Sequence, residues 1–491
     1  MDAAPAAEAL KQALAGKGKD FTIADAAAKS GLPLRDAETG LHALVHEYRG
    51  HLRVTGDGDL LFRFPNGFTK PWETRTRLAE LGDKLGRGLL GVGRFVVRAW
   101  ISIVLVAYAL IFLALLLGLA FARSSGDSRS DRGGAGFEVG YVFFRVVADA
   151  LFWTFHPFSP FAYTGYGYGY GYAGPASYRR RERRKPKDET PFYDKVNRFF
   201  FGPDVPPPDP RAMERRILAE IRAEKGRIGL ADVIRVTGLP RDEADPLMAR
   251  LMLDYDGTVE VSEEGGIVYR FEALRRTADE AGGEERPAPV WAKLKRLVPL
   301  TGNTLGTNVL IAALNGFNLI MSWWALSEHM TFAKVGFLFN TMQHVRYAAP
   351  PLPPPDGTAI ALGVVPLVFS IALFALPIAR SLYRPFKERR VARENGRRGM
   401  LRAILGPEGK GEVTDESLRR AWKQAAGVDP DPKQLTREVA ALGGDAEIAK
   451  DGHVRYRFPD FEAEAKALEA EREAASDAEA KVGPVIFSSE D

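Results

Sequence analysis

The stretch Asp25–Phe64, DAAAKSGLPLRDAETGLHALVHEYRGHLRVTGDGDLLFRF, is written a second time at Asp232–Phe271, DVIRVTGLPRDEADPLMARLMLDYDGTVEVSEEGGIVYRF. A shift of 207 positions aligns the two without a gap. Asp25, Gly31, Leu32, Pro33, Ala37, Leu44, Tyr48, Gly50, Val54, Arg63 and Phe64 meet Asp232, Gly238, Leu239, Pro240, Ala244, Leu251, Tyr255, Gly257, Val261, Arg270 and Phe271. In the first copy Ile23–Ser30 reads as a short helix and Gly31-Leu32-Pro33 as a turn. Asp36–Tyr48 then carries Leu41, Leu44, Val45 and Tyr48 on one face at helical spacing. His51–Thr55 and Leu60–Phe64 alternate as strands around Gly56-Asp57-Gly58-Asp59, a hairpin signal. The second copy repeats the plan with Met248, Leu251, Met252 and Tyr255, followed by the turn Glu263-Glu264-Gly265-Gly266.

A looser third copy follows near the C-terminal end. It has a helix near Thr414–Ala426, a second near Pro432–Leu442 with Leu435, Val439 and Leu442, and strands either side of Asp451-Gly452. It ends on Tyr456-Arg457-Phe458, as the second ends on Tyr269-Arg270-Phe271. This helix–turn–helix–hairpin order resembles winged helix-turn-helix domains. The resemblance implies α+β winged-helix modules at 1–66, 211–275 and 399–461, joined to an α-helical membrane bundle.

A chain of 491 residues has room for about three domains. The absence of cysteine excludes disulfides, thiolate metal sites and a cysteine nucleophile. The net charge of +4 is small, so its distribution carries more information than its sum. The first apolar segment starts near residue 95, too late for a cleaved signal peptide, so the N-terminal module is expected in the cytosol.

Between the copies lie the apolar segments. Residues 67–98 read as a juxtamembrane helix, and 99–160 as a first transmembrane hairpin. Its first span, Ala99–Ala122, is 24 residues without a charge, more than the roughly 20 that cross a bilayer. Its second, Phe137–Phe158, holds Arg145 and Asp149, four apart and on one helix face. That segment either spans with an internal ion pair or lies on the membrane as an amphipathic helix; a span returns the chain to the cytosol. Residues 161–210 form a linker. It comprises the Tyr-Gly alternation Tyr163–Tyr172, a basic run (Arg179, Arg180, Arg181, Arg183, Arg184, Lys185, Lys187), an aromatic helix Phe192–Phe201 and the spacer Pro203–Pro210.

After a further linker, 276–304, a second hairpin occupies 305–382. Its first span, Leu305–Leu326, carries Thr304, Asn308, Asn315, Asn318 and Ser322 at spacings of 4, 7, 3 and 4, a polar stripe along one helix. An external amphipathic segment follows, with Phe332, Val335, Phe339, Met342 and Val345. The second span, Thr358–Ala379, has Pro366 and Pro377 as expected kinks. Residues 383–398, with Arg389, Arg390 and Arg393, are a basic juxtamembrane segment, and 462–491 a charged tail, helical or disordered. Basic clusters flank the paired spans on the side that holds the three copies. The positive-inside rule therefore places both termini in the cytosol of a multi-pass inner-membrane protein.

Winged helices bind DNA through basic residues and a second helix that reaches base edges. Here Lys+Arg against Asp+Glu is 8 against 9 in residues 1–65, 11 against 13 in 211–275 and 10 against 11 in 399–461. The outward face of the second helix offers Glu38, His42, His46 and Glu47 in copy one, and Asp245, Ala249, Arg250 and Asp254 in copy two. Only copy three, with Lys433 and Arg437, suits a phosphate backbone. Nucleic acid is thus disfavoured, and contacts to proteins or between the modules are preferred. Glu38, His42 and His46 share a face at i, i+4, i+8 but read as surface residues rather than a metal site. Gly406–Gly411 lacks the spacing of a phosphate loop, and no catalytic constellation stands out. No enzyme activity, cofactor or metal is expected.

The expected function is a membrane scaffold or regulator with protein partners or self-association, its basic clusters meeting anionic lipid head groups. A membrane-tethered DNA-binding regulator and a transport or channel component are the alternatives. The stripe either hydrogen-bonds across the helix bundle or lines a solute path.

Overall fold

A computed structural model describes residues 2–16, 20–69, 99–118, 190–278, 286–342, 352–406, 413–448, 454–475 and 481–490. It is mixed α+β and mostly helical. In chain order, the first segment contains α1 (Ala3–Leu14), β1 (Asp20–Thr22), α2 (Ile23–Ser30), α3 (Leu34–Tyr48), β2 (His51–Thr55) and β3 (Leu60–Arg63). Next come α4 (Ala99–Gly118) and α5 (Phe192–Phe201). The second segment has α6 (Ala212–Ala223), β4 (Arg227–Ile228), α7 (Leu230–Thr237), α8 (Arg241–Asp254), β5 (Thr258–Val261), β6 (Ile267–Arg270) and α9 (Glu272–Arg275). Then follow α10 (Leu305–Ser327), α11 (Phe332–Met342) and α12 (Val365–Leu405), the last led in by a π-helical turn, Ile360–Val364. The third segment has β7 (Val413–Thr414), α13 (Asp415–Ala426), α14 (Pro432–Ala441), β8 (Asp445–Ile448), β9 (Val454–Arg457), α15 (Pro459–Ala474) and β10 (Val485–Ser488).

The chain divides into two units. One is Met1–Thr76, Pro206–Leu297 and Phe386–Asp491; the other is Arg77–Val205 and Val298–Pro385. In the first unit, each of three antiparallel sheets places its third strand between its first and second: β1-β3-β2, β4-β6-β5 and β7-β9-β8. Phe62, Tyr269 and Tyr456 occupy the central strands, paired with Phe21, Ile228 and Val413. Local sequence explains the helix limits. Thr22 caps α2 by accepting the Asp25 N–H (2.9 Å), and Gly31, at φ +73°, ends α2 in the left-handed conformation that the Gly-Leu-Pro turn needs. Helix α3 buries Ala37, Gly40, Leu41, Leu44 and Tyr48; a Cβ on Gly40 would lie 2.6 Å from Leu10, so glycine lets α1 and α3 touch.

Two stretches read as separate segments belong to larger elements. The basic stretch 383–398 is not a separate segment: α12 runs unbroken through Pro377 and Pro385 to Leu405, and its end buries Met400, Leu401 and Ile404 as the first helix of the third segment. The tail from 462, read as helical or disordered, begins as a helix that packs. Helix α15 buries Phe461, Glu464, Ala467 and Leu468, and β10 pairs with β2 to add a fourth strand to the first sheet. Arg53 and Arg63 hold Glu490 beside that strand, at 2.6 and 3.4 Å.

Gly396 sits where α12 crosses Trp422 of α13; a Cβ there would lie 2.1 Å from the indole. Gly396→Ala is therefore expected to overpack the third segment and cost about 1–3 kcal/mol. Thermal unfolding followed by tryptophan fluorescence measures it, and an unchanged midpoint would mean that the ring has room to move.

Three helices are long and apolar enough to cross a membrane: Ala99–Gly118, Leu305–Ser327 and Ile360–Leu405. The fourth expected span, Phe137–Phe158, lies outside the described residues. So do Arg145, Asp149, the Tyr-Gly stretch and Arg179, Arg180, Arg181, Arg183, Arg184, Lys185 and Lys187. In this second unit Leu105 and Val106 share a cluster with Ile311, Leu314 and Leu373, while Phe112 and Leu115 share one with Met321, Ala325 and Leu362. Residue numbers rise together on α4 and α10 and fall on α12, so α4 and α10 run parallel and α12 antiparallel. Arg380 donates to the carbonyls of Phe200 (2.8 Å) and Leu300, satisfying the C-terminal end of α5.

Candidate functional site

Asp25 and Asp232 are the one acidic pair among the identities between the first two copies. Each stands three residues after the N-cap of its helix, α2 or α7, and accepts the N–H of that cap: Thr22 at 3.1 Å, Gly229 at 3.1 Å. Each also reaches beyond its own segment. Asp25 accepts from Arg222 of α6 (2.8 Å), from the Thr277 hydroxyl (2.8 Å) and from the Ala278 N–H (2.9 Å). Asp232 accepts from Arg472 of α15 (2.6 Å) and from Arg286 (3.1 Å). One position of the repeat thus ties the first segment to the second and the second to α15. The third copy has Ser417 there, hydrogen-bonded among the described residues only within its own cap at Thr414.

The N-caps show the same division of labour. Thr22 and Thr414 cap their own helices, but the second copy has Gly229, which has no side chain to offer. Glu464 of α15 supplies the missing acceptor: its two oxygens take the Leu230 N–H (3.0 Å) and the Ala231 N–H (2.8 Å). The Glu464 carboxyl here meets two otherwise orphaned donors of α7. Glycine is required for the approach, because a Cβ on residue 229 would lie 1.9 Å from Glu464 Oε1. Glu220, fully buried on α6, is held by Arg286 (2.8 Å) and Arg235.

The electrostatics differ between the two contacts. Burial pushes the Asp25 carboxyl up, but Arg222 and the N–H groups of Ala278 and Thr22 outweigh it and hold it below the ordinary aspartate range. At Glu464 burial dominates. Aided by the nearby Asp232, and against the N–H groups of Ala231 and Leu230 and the charge of Arg472, it pushes the carboxyl up to about 8.

The outward faces of the second helices are mostly short of free cations. On α3, His42 stacks edge-on to Phe62 at 5.2 Å, and Glu38, His42 and His46 form no metal-binding group among the described residues. On α8, Arg241 pairs with Asp460 of α15, and Arg250 with Glu214 (2.9 Å). On α14, Lys433 and Arg437 are exposed.

The polar stripe of α10 is divided by the structure. Thr304 is the N-cap, accepting the Thr307 N–H (3.3 Å), and Asn308 bonds Thr301 (2.9 Å); both belong to the start of the helix. Asn315, Asn318 and Ser322 are fully buried in the bundle. Asn315 donates to the Ser370 carbonyl of α12 (3.0 Å), Asn318 to the Leu105 carbonyl of α4 (2.7 Å), and Ser322 back to Leu319 (3.0 Å). The basic residues of α12 divide as well. Arg397 pairs with Glu438 (3.1 Å) and Arg398 with Glu394 (3.0 Å), whereas Arg389, Arg390 and Arg393 are exposed and make no ion pair among the described residues.

Sequence reasoning singled out Asp25 and Asp232 as shared positions but missed Arg222, Arg472 and Glu464. The available signal was an acid kept through the self-alignment on a helix otherwise rich in small and apolar residues, together with Gly229 where the other copies have threonine.

No family model matches this chain, and no solved structure matches it. The chain is similar, at 24% identity over 280 residues, to a chloroplastic protein of Arabidopsis thaliana whose name calls it uncharacterized. The matched region is 56% of this chain and 50% of that protein, so the match spans half of the relative's length.

Proposed function

We propose that this chain is a non-enzymatic membrane scaffold or regulator whose three segments are winged-helix modules working through protein–protein and intramolecular contacts. The observation that carries the reading is the use of one repeated aspartate to dock successive segments. It commits charged groups on the surfaces of these helices to contacts inside the chain rather than to a phosphate backbone. The membrane proposed is a cell inner membrane, with both termini and residues 179–290 cytosolic; the plant relative's name assigns that protein to the chloroplast. The exposed cations Arg389, Arg390 and Arg393, beyond the apolar part of α12, are proposed to meet anionic lipid head groups, at about 1 kcal/mol each.

Full-length protein in detergent is expected to show no measurable duplex DNA binding at physiological salt. Submicromolar binding with a steep salt dependence would instead favour the DNA-binding alternative, for which Lys433 and Arg437 are the supporting residues. A periplasmic reporter fused after Lys187 or Asp491 is expected to be silent, and an active one would overturn the proposed topology. A transport role is the second reading, supported by the buried amides of Asn315 and Asn318.

A further inference from the structure

The cross-helix bonds of Asn315 and Asn318 use only their amide nitrogens. Both Oδ1 atoms are buried with no hydrogen-bond partner among the described residues, and so are the hydroxyls of Ser102 on α4 and Ser370 on α12. All four side chains are at most 1% exposed. They lie close together along the bundle. Asn318 touches the Leu105 carbonyl, and stepping back one turn on these two parallel helices reaches Asn315 and Ser102. Asn315 in turn bonds the backbone of Ser370 itself. Three helices therefore bring four such oxygens to within about one helical turn of one another along the bundle, those of Asn315 and Asn318 lying on α10 between Leu314 and Met321.

An unmet buried acceptor costs about 1–3 kcal/mol, and in a bilayer no bulk water relieves it. Four within about one turn of each other call for a shared ligand. The donor set is two amide oxygens and two hydroxyls, all neutral, with no carboxylate among them. Calcium and magnesium favour sites with carboxylates, and soft metals favour sulfur or imidazole. Neutral oxygens that replace a hydration shell suit an alkali cation.

We propose that Ser102, Asn315, Asn318 and Ser370 form an intramembrane binding site for an alkali metal cation. The site goes beyond the scaffold role and does not depend on it. The two serines make the decisive variants. Asn315 bonds the backbone carbonyl of Ser370 and Asn318 that of Leu105, so Ser102→Ala and Ser370→Ala leave both cross-helix hydrogen bonds in place. They remove only the unpartnered hydroxyls.

The experiment is thermal unfolding of the full-length protein in lipid nanodiscs, at constant ionic strength, in sodium, potassium or choline chloride. The expected result is a midpoint several degrees higher in at least one alkali salt than in choline, rising with cation concentration as a bound ligand requires. The difference is lost in Ser102→Ala and Ser370→Ala and kept in Asn308→Ala, whose side chain bonds at the start of α10. Equal midpoints in all three salts would overturn the site and leave a group of oxygens that holds water only. A salt difference unchanged in both serine variants would overturn it too, most clearly if those variants are also more stable, as deleting an unsatisfied hydroxyl predicts.

Discussion

Asp25→Ala is expected to destabilise the protein by about 3–5 kcal/mol, the cost of stranding one member of a buried ion pair. The Asp25 and Arg222 side chains are 2% and 7% exposed, so water does not rescue the arginine left behind. The change also removes the acceptor for Thr277 and Ala278, the contacts that hold the end of the second segment against α2. Chemical denaturation of the full-length protein measures the loss. The comparison with Asp25→Asn separates charge from shape, since asparagine can keep some of the hydrogen bonds but not the charge. A double change to apolar residues, Asp25→Leu with Arg222→Met, should recover much of the stability, because it buries no charge. If the single and double variants are equally unstable, packing and not the ion pair holds these segments together. The pH dependence has a definite sign. A carboxyl held below its unfolded value contributes stability above the ordinary aspartate range and loses it as pH falls through the folded value. Asp25→Asn should therefore flatten the acid limb of the stability curve.

Gly229→Ala is expected to lever α15 off the second segment. Its backbone, at φ −112°, accepts alanine without strain, so the effect comes only from the methyl group that would sit 1.9 Å from Glu464 Oε1. Leaving both N–H groups without the Glu464 carboxyl costs about 1–3 kcal/mol each. Proteolysis after Arg472 should then quicken, because α15 loses its hold; an unchanged cleavage rate would defeat the docking argument. Glu464→Gln asks about charge at the same place. With its carboxyl raised to about 8 in the folded protein, Glu464 retains a proton that the unfolded chain releases near 4.5. Its contribution is therefore complete below pH 4.5 and lost as pH rises through 8, the reverse of Asp25. Glu464→Gln should remove that decline between pH 5 and 8. A decline that persists in the variant would assign it to another group.

Much of this protein is legible in the chain because it is encoded locally. Helical spacing in Asp36–Tyr48 and alternation in His51–Thr55 mark elements that the structure places at Leu34–Tyr48 and His51–Thr55. Charge-free length marks Ala99–Gly118 in the same way, and the aromatic helix Phe192–Phe201 appears with the expected limits. Such features depend on a side chain's neighbours one or two turns away, which a sequence displays directly. The short strands Asp20–Thr22, Arg227–Ile228 and Val413–Thr414 are less visible, since two or three residues are too few to show a period.

What only the tertiary structure decides is which charges and amides meet. Asp25 and Arg222 are 197 positions apart, Glu464 and Leu230 234, and Ser489 and Leu52 437. In the sequence, Arg389 and Arg397 are equivalent members of one basic run, and Asn308 and Asn315 equivalent members of one stripe. Folding buries Asn315 and leaves Arg389 in solvent, while Arg397 finds Glu438 and Asn308 finds Thr301. Periodicity can assign a residue to a face, but the energy of a polar group depends on what lies opposite that face and how much water remains there. Those quantities are set by the packing of distant segments, so they become defined only when the chain is folded.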